Sequence, residues 1–443
     1  MQDKPIQINT KVMKQLILLL LIFPTLLYSQ GWEKTYGGDG SDYGHQVQQT
    51  TDGGYIVVGN KYIYEDSHND IYLIKTNNNG DTLWTRTYGD TYYDYGFSVQ
   101  QTYDGGYILL GELGRDWGND IYMIKTDENG DTLWTKKYGE NGYRSSGYSV
   151  QQTSDGGYIL TGYIFLDSHD VYLIKTDSYG DTLWTRSYDN GLQEEGYSVS
   201  QTSDGGYIIT GSSYVIDYWQ SDIYLIKTDS NGDTIWTKTI DNNACDKAST
   251  GSQTSDGGFI IVGATDSTSI PNDHDLFIVK TDVSGSTLWT KTYRLNNRFT
   301  AGYCIQQTTD NGYIVTGITN TIQGNSEILL MKTDSLGDTL WTKAFGGESY
   351  DYGYYVEQTS DGGFIISGSA KLNHLDSGYD VILIKTDKYG SVLSTIEIPL
   401  LNPNRKLMKI IDLSGREISR PLKNQPYIEV YDDGTTKKKM KLK

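Results

Sequence analysis

Short apolar runs alternate with glycine-bearing polar turns along nearly the whole chain, and no stretch of the repeated region carries the i, i+3, i+4 spacing of an amphipathic helix. One unit shows the pattern. Tyr148-Ser149-Val150-Gln151-Gln152-Thr153 reads as a strand, and Ser154-Asp155-Gly156-Gly157 as a tight turn whose glycines accept positive φ. Tyr158–Thr161 follows as a second strand and Val171–Thr176 as a third; Asp177–Asp181 turns the chain into a fourth, Thr182–Arg186. The second and third runs are apolar at nearly every residue, as in strands packed on both faces.

This unit recurs. Trp stands at 32, 84, 134, 184, 236, 289 and 341, and a Lys-Thr pair begins at Lys75, Lys125, Lys175, Lys227, Lys280, Lys332 and Lys385. The turn aspartate keeps the same period, at Asp52, Asp104, Asp155, Asp204, Asp256, Asp310 and Asp361. Seven copies of four short strands predict an all-β chain, a seven-bladed β-propeller. Trp32, Trp84, Trp134, Trp184, Trp236, Trp289 and Trp341 are then structural residues of the repeat. The copies are out of phase with the chain. Nine residues after Lys385, where a Trp belongs, stands Ser394, while Trp32–Tyr36 is a fourth strand with no partners before it. A ring closed by this N-terminal strand leaves no exposed edge.

Loop lengths divide the two faces of that ring. The turn between the first strand of a unit (a) and the second (b), and the turn between the third (c) and the fourth (d), keep their length. The b–c loops vary, as at 61–69, 214–221 and 264–274. Binding residues gather on loops held by a rigid scaffold, so the b–c/d–a face is the candidate surface. Its exposed aromatic residues give the candidate ligand-binding set Tyr64, Tyr93, Trp117, Tyr143, Tyr218, Trp219, Phe299 and Tyr350. Such rings offer flat apolar area with a polar tip, suited to sugars or protein partners.

Charge refines the division of the 443 residues. Lys+Arg number 37 against 56 Asp+Glu, a net −19, which excludes a nucleic-acid binder relying on a basic surface. Residues 400–443 run the other way, with 11 Lys+Arg and 5 Asp+Glu, and mark a separate module. At the N-terminus Lys11 and Lys14 precede an apolar run from Leu16 to Leu27. That is a secretory leader, too short to span a bilayer, and no other segment approaches a membrane span. The expected organisation is a signal peptide at 1–30, the propeller at 31–398 and a C-terminal β-sandwich-like module at 399–443.

Candidate chemistry is sparse. The c–d turn Asp-x-x-Gly-Asp, as in Asp127–Asp131 and Asp229–Asp233, offers too few carboxylates for an EF-hand loop and reads as a structural turn. It misses the sialidase Asp-box by one residue on either side of Gly180. Arg115, Arg144, Arg294, Arg298 and Glu194-Glu195 read as dispersed solvated charge, and His68, His169, His274 and His374 as loop residues. No nucleophile elbow or phosphate-cradling motif is present. Cys245 and Cys304 read as two separate thiols. No metal, cofactor or catalytic residue is therefore assigned, and near-perfect repetition argues against an enzyme.

Two resemblances complete the reading. The unit Tyr-Leu-Ile-Lys-Thr-Asp-x-x-Gly-Asp-Thr-Leu-Trp-Thr resembles the Trp-bearing strand pair of quinoprotein-like (PQQ-repeat) propellers, which implies the fold; none of their cofactor-binding residues maps onto this chain. Lys409–Glu417, Asn424–Gly434 and the basic end Lys437–Lys443 resemble a shortened C-terminal sorting domain of the type IX (Por) secretion system of Bacteroidota-like bacteria. That implies the type IX machinery as a partner, and a secreted or outer-membrane surface location. The expected function is binding of a glycan or surface protein without catalysis. The alternatives are a secreted glycan hydrolase, sialidase-like or other, and a structural surface or adhesin component.

Overall fold

The computed structural model describes residues 31–392 apart from loop positions 65–66, 117, 140–142, 217–219, 242–244, 267–273, 296–297, 322, 348 and 372–377. Beyond 393 it describes 407–412, 416–418, 420, 426–431 and 436–440. The chain divides into two compact units, one up to residue 393 and one from 394 onward. Among the described residues no helix is long and apolar enough to cross a membrane.

The first unit is a propeller of seven four-stranded antiparallel sheets. Blade 1 runs from strand a (Tyr43–Gln49) through b (Tyr55–Ile63) and c (His68–Thr76) to d (Thr82–Tyr88). Blades 2 to 6 repeat this order, beginning with strands a at Tyr95–Gln101, Ser145–Gln152, Gln193–Gln201, Asp246–Gln253 and Thr300–Gln307. Blade 7 takes a, b and c from Tyr352–Gln358, Phe364–Ala370 and Asp380–Thr386, and its fourth strand is Trp32–Tyr36, with Trp32 opposite Lys385. The closure expected from the sequence is present.

Each blade is too thin to bury a core alone. Seven apolar clusters lie between neighbouring blades, one per seam, including the seam of blade 7 with blade 1. The repeated Trp is the wedge of each seam. It meets the aromatic residue that opens strand b of the next blade at centroid distances of 5.7–6.2 Å, from Trp32–Tyr55 around to Trp341–Phe364. Its other face rests on the glycine of the next c–d turn. A Cβ on Gly180, whose φ is +78°, would stand 2.8 Å from Trp134.

The repeated Lys and Asp form a second device. Each lysine is buried and its Nζ reaches the a–b turn aspartate at 2.8–3.0 Å, seven times around the ring. The pair fixes strand c against the a–b turn. The c–d turns are Asx turns: Asp127 Oδ1 accepts the N–H groups of Asn129 and Asp131 at 2.9 and 2.8 Å, while Asp131 pairs with Arg86 of the blade before at 3.2 Å. Their carboxylates hold turns and seams together.

The second unit contains a three-stranded antiparallel sheet of Leu407–Asp412, Pro426–Tyr431 and Thr436–Met440, in that spatial order. Residues 1–30, expected to be a leader, lie outside the described residues.

Candidate functional site

Strand a is innermost in every blade and lines the central channel. Its pairing with strand b slips by one residue at the same point in each blade, between Gly44 and Gln46 in blade 1 and between Ala248 and Thr250 in blade 5. This bulge is made possible by a glycine on strand b: a Cβ on Gly162 would lie 1.8 Å from the Ser146 carbonyl oxygen. The bulged residues are His45, Phe97, Tyr148, Tyr197, Ser249, Tyr303 and Tyr354, and all line the channel.

Six of the seven are aromatic, and they form a collar. Centroid distances are 5.4 Å for His45–Phe97, 5.5 Å for Phe97–Tyr148 and for Tyr148–Tyr197, 5.8 Å for Tyr303–Tyr354 and 5.3 Å for Tyr354–His45. The collar is open at one place. Blade 5 carries Ser249 where the neighbouring blades carry Tyr197 and Tyr303.

The gap joins two spaces. The channel has a volume of about 780 Å³, and a side slot of about 280 Å³ lies on the b–c/d–a side. Tyr197, Ala248, Ser249 and Tyr303 line both. The slot is completed by Tyr214, Lys247, His274 and Phe299 among others, with the Lys247 ammonium 6.0 Å from the Tyr214 ring centre. His274 makes an edge contact with Phe299 at 5.2 Å and pairs with Asp266 at 2.8 Å. A further groove of about 980 Å³ runs beside blade 6, past Arg298, Asn325 and Lys343, and is separate from the collar.

A network of proton-bearing groups abuts the gap. Glu195 receives the Tyr197 hydroxyl at 2.9 Å on one oxygen and meets His169 Nδ1 at 2.8 Å with the other. Tyr197 also contacts the Tyr214 hydroxyl, and Tyr163 stacks on His169 at 4.1 Å. Burial, and after it the Glu195 carboxylate, pushes the Tyr197 phenol well above its ordinary range. Burial lowers the His45 imidazole to about 4, so it is neutral at physiological pH. On the far side of the collar burial raises Glu357 to about 7.

The structure redistributes the residues singled out from sequence. Of the eight candidate aromatics, Phe299 lines the slot. Tyr64, Tyr93, Tyr143 and Tyr350 are exposed and line neither cavity at the collar, and Tyr93 donates to the Ser67 carbonyl at 3.0 Å. Trp117, Tyr218 and Trp219 lie outside the described residues, as does His374. Glu194 and Glu195, expected to be solvated, are buried. The arginines do not converge: Arg115 pairs with Asp120 at 3.0 Å, Arg294 with Asp275 at 2.7 Å, and Arg298 donates to the Thr321 carbonyl at 2.6 Å. His68 and His169 are likewise bound to carboxylates rather than free in loops, His68 to Asp70 at 3.2 Å. Cys245 and Cys304 are both free thiols.

The collar escapes a search confined to loops of variable length. Its signal is a column of the repeat, the residue after the glycine of strand a, which departs from an aromatic only at Ser249.

No family model matches the chain, and no curated protein matches it. Among solved structures it is similar to a puromycin hydrolase, at a TM-score of 0.53 and 12% identity, covering 89% of this chain and 59% of that one. The chain thus spans about three fifths of that hydrolase. It is similar to a polysaccharide lyase, an ulvan lyase bound to -[GlcA(1-4)Rha3S]-, at a TM-score of 0.53 and 10% identity over 82% of this chain and 97% of that one. It is also similar to the β-propeller domain of the Trilobed protease from Pyrococcus furiosus, at 0.46 and 9% identity over 83% and 99%. At these identities the likeness is one of fold.

The likeness corrects one expectation. Repetition is no ground for excluding an enzyme, because the chains similar in fold include a hydrolase and a polysaccharide lyase. Repetition is also incomplete beside the gap: Ser249 departs from the aromatic column, and the strand a position two residues before the bulge is charged only in blades 4 and 5, at Glu195 and Lys247.

Proposed function

We propose that the protein binds a saccharide at the opening in its aromatic collar, with the sugar ring in the slot between Tyr197, Tyr214, Phe299 and Tyr303 and the rest of the chain entering the channel. The single observation that carries this reading is Ser249, which replaces an aromatic side chain and leaves the slot continuous with the channel. Aromatic walls favour the C–H faces of a pyranose, and hydroxyl, imidazole and ammonium groups at the rim satisfy its hydroxyls. The slot volume of about 280 Å³ suits one or two sugar residues. Lys247 is placed to favour a sugar bearing a carboxylate or sulfate.

The leader and the C-terminal module support delivery outside the cell, surface-attached or released, with the type IX secretion machinery as the partner of the tail. A second reading, cleavage of the bound saccharide at the same place, is favoured by the His169–Glu195–Tyr197 network, which can hold or pass a proton beside the slot.

The experiment is a glycan array probed with the full chain and with Ser249→Tyr. The variant restores the residue that the neighbouring blades carry at the same bulge, so it should fold. Saturable retention that weakens at least tenfold in the variant is expected, with acidic glycans held best. A blank array, or equal retention by both proteins, overturns the reading. New chain ends appearing in the retained glycans would establish the second reading.

A further inference from the structure

On the b–c/d–a side of every seam three positions meet: the start of strand c, the residue after strand d, and the start of strand a of the next blade. The first is acidic in all seven blades, at Asp70, Asp120, Asp170, Asp222, Asp275, Glu327 and Asp380. The second is Gly37, Gly89, Gly139 or Gly346 at four seams. Space is short there: a Cβ on Gly89 would lie 2.4 Å from both the Asp70 and the Asp94 carboxylates.

Two of the remaining seams solve the same crowding in opposite ways. Between blades 5 and 6 the position is Arg294, whose Nη1 neutralises Asp275 at 2.7 Å. Between blades 3 and 4 it is Asp189, which adds a third carboxylate instead. Asp170, Asp189 and Glu194 each present an oxygen, and these oxygens all lie within 4.8 Å of one another. Among the described residues no Lys or Arg pairs with any of the three.

Glu194 is fully buried, and its Oε2 has no hydrogen-bond partner among the described residues. Its Oε1 receives the Ser213 hydroxyl at 3.3 Å. A buried carboxylate beside two others is costly unless a cation answers it. Burial, with Asp189 and Asp170 adding to it, raises Glu194 to about 7; Asp170 is raised by burial, with Asp189 adding to it. The Asn190 N–H also faces the Glu194 carboxylate. Asp189 is exposed and leaves the cluster open to solvent on one side.

We propose that Asp170, Asp189 and Glu194 bind a divalent cation of the calcium type between blades 3 and 4. Hard carboxylate oxygens in an irregular set, with room for water on the Asp189 side, suit Ca²⁺ better than a cation that demands strict octahedral geometry. The cation takes the place that Arg294 fills two seams away. It braces strand a of blade 4, where the next residue, Glu195, holds His169 and Tyr197 at the collar. Asp170 also accepts the Ser168 hydroxyl at 2.8 Å and Asp189 the Gly191 N–H at 2.6 Å, each on one oxygen; the c–d turn carboxylates are a separate set that carries ion pairs as well, as at Asp131.

The test is calorimetric titration of the full chain, stripped with EDTA, with calcium chloride. Asp189→Gly is the variant of choice, because glycine occupies that position at four other seams and the side chain is exposed; Glu194→Gln is the second. Expected is one equivalent of Ca²⁺ that raises the melting temperature and is lost, or weakened at least tenfold, in both variants. The seam between blades 4 and 5 carries a second trio, Asp222, Asp241 and Asp246; an Asp241→Gly variant should keep the equivalent that Asp189→Gly loses, and loss of that equivalent in Asp241→Gly overturns the assignment to blades 3 and 4. Absence of saturable binding to the wild-type chain overturns the proposal, and so does binding that Asp189→Gly leaves unchanged.

Discussion

The two faces of the ring are built from the same 28 strands and behave differently. On the a–b/c–d side the same bonds recur: a buried lysine on the turn aspartate and an Asx turn, with an ion pair to the blade before wherever the turn ends in Asp rather than in Ser286 or Ser391, as in Lys136–Asp181 at 2.6 Å and Arg186–Asp233 at 3.2 Å. On the b–c/d–a side the seam position after strand d is glycine, aspartate or arginine, and the collar loses one member. The constant face carries the Trp wedge of every seam. The other face is left free to vary, and its departures from the repeat gather between blade 3 and the start of blade 6, where both the slot and the carboxylate triad lie.

The sharpest way to break this comparison is to remove one wedge. Trp134→Ala deletes the ring that packs on Tyr158 and Gly180, and should cost about 3 kcal/mol; its partial exposure keeps the loss toward the lower end for large aromatic truncations. Tyr143→Ala on the opposite face, where the side chain is exposed, should cost under about 0.5 kcal/mol. Urea unfolding of both variants measures the contrast, and equal losses would mean that the constant face does not carry the stability assigned to it. Next in size, Gly180→Ala should cost about 2 kcal/mol, since it forces an L residue to a φ of +78° and brings a methyl group to 2.8 Å from Trp134.

The sequence reads most clearly where one physical demand is repeated seven times. Strand number, blade number, the closing strand and the structural Trp were all legible because period and turn chemistry pointed the same way. The site was legible only in part. Exposed loop aromatics such as Tyr64 and Tyr93 attracted notice, yet the rings that converge are on strand a, aimed inward by a bulge that no single-strand pattern announces. Glu194 and Glu195 looked like surface charge because burial of their side chains depends on packing between blades 3 and 4, a contact between residues far apart in sequence. The informative signal was the exception within a column of the repeat: Ser249 among aromatics, and Asp189, Asp241 and Arg294 among glycines.

A third such exception gives the smallest effect. Glu357 stands where Gln48, Gln100, Gln151 and Gln306 accept the N–H of a glutamine in the next blade, at 2.6–2.9 Å; Glu357 accepts from Gln49 N at 3.3 Å. Burial raises its carboxyl from 4.5 to about 7. Below pH 4.5 it is protonated in both the folded and unfolded chain and adds no pH dependence. Between there and about 7 the folded state holds a proton that the unfolded state has released, so stability falls as pH rises through that window. A tenfold change in proton affinity corresponds to about 1.4 kcal/mol, and water in the channel reduces the total to about 1–2 kcal/mol. Glu357→Gln should therefore match the wild-type chain at about pH 4 and exceed it by that amount at about pH 8, both measured in EDTA so that Glu194 titrates alike in each. Melting curves that stay parallel across this range would show that the carboxylate is solvated, and that blade 7 differs from its neighbours in name only.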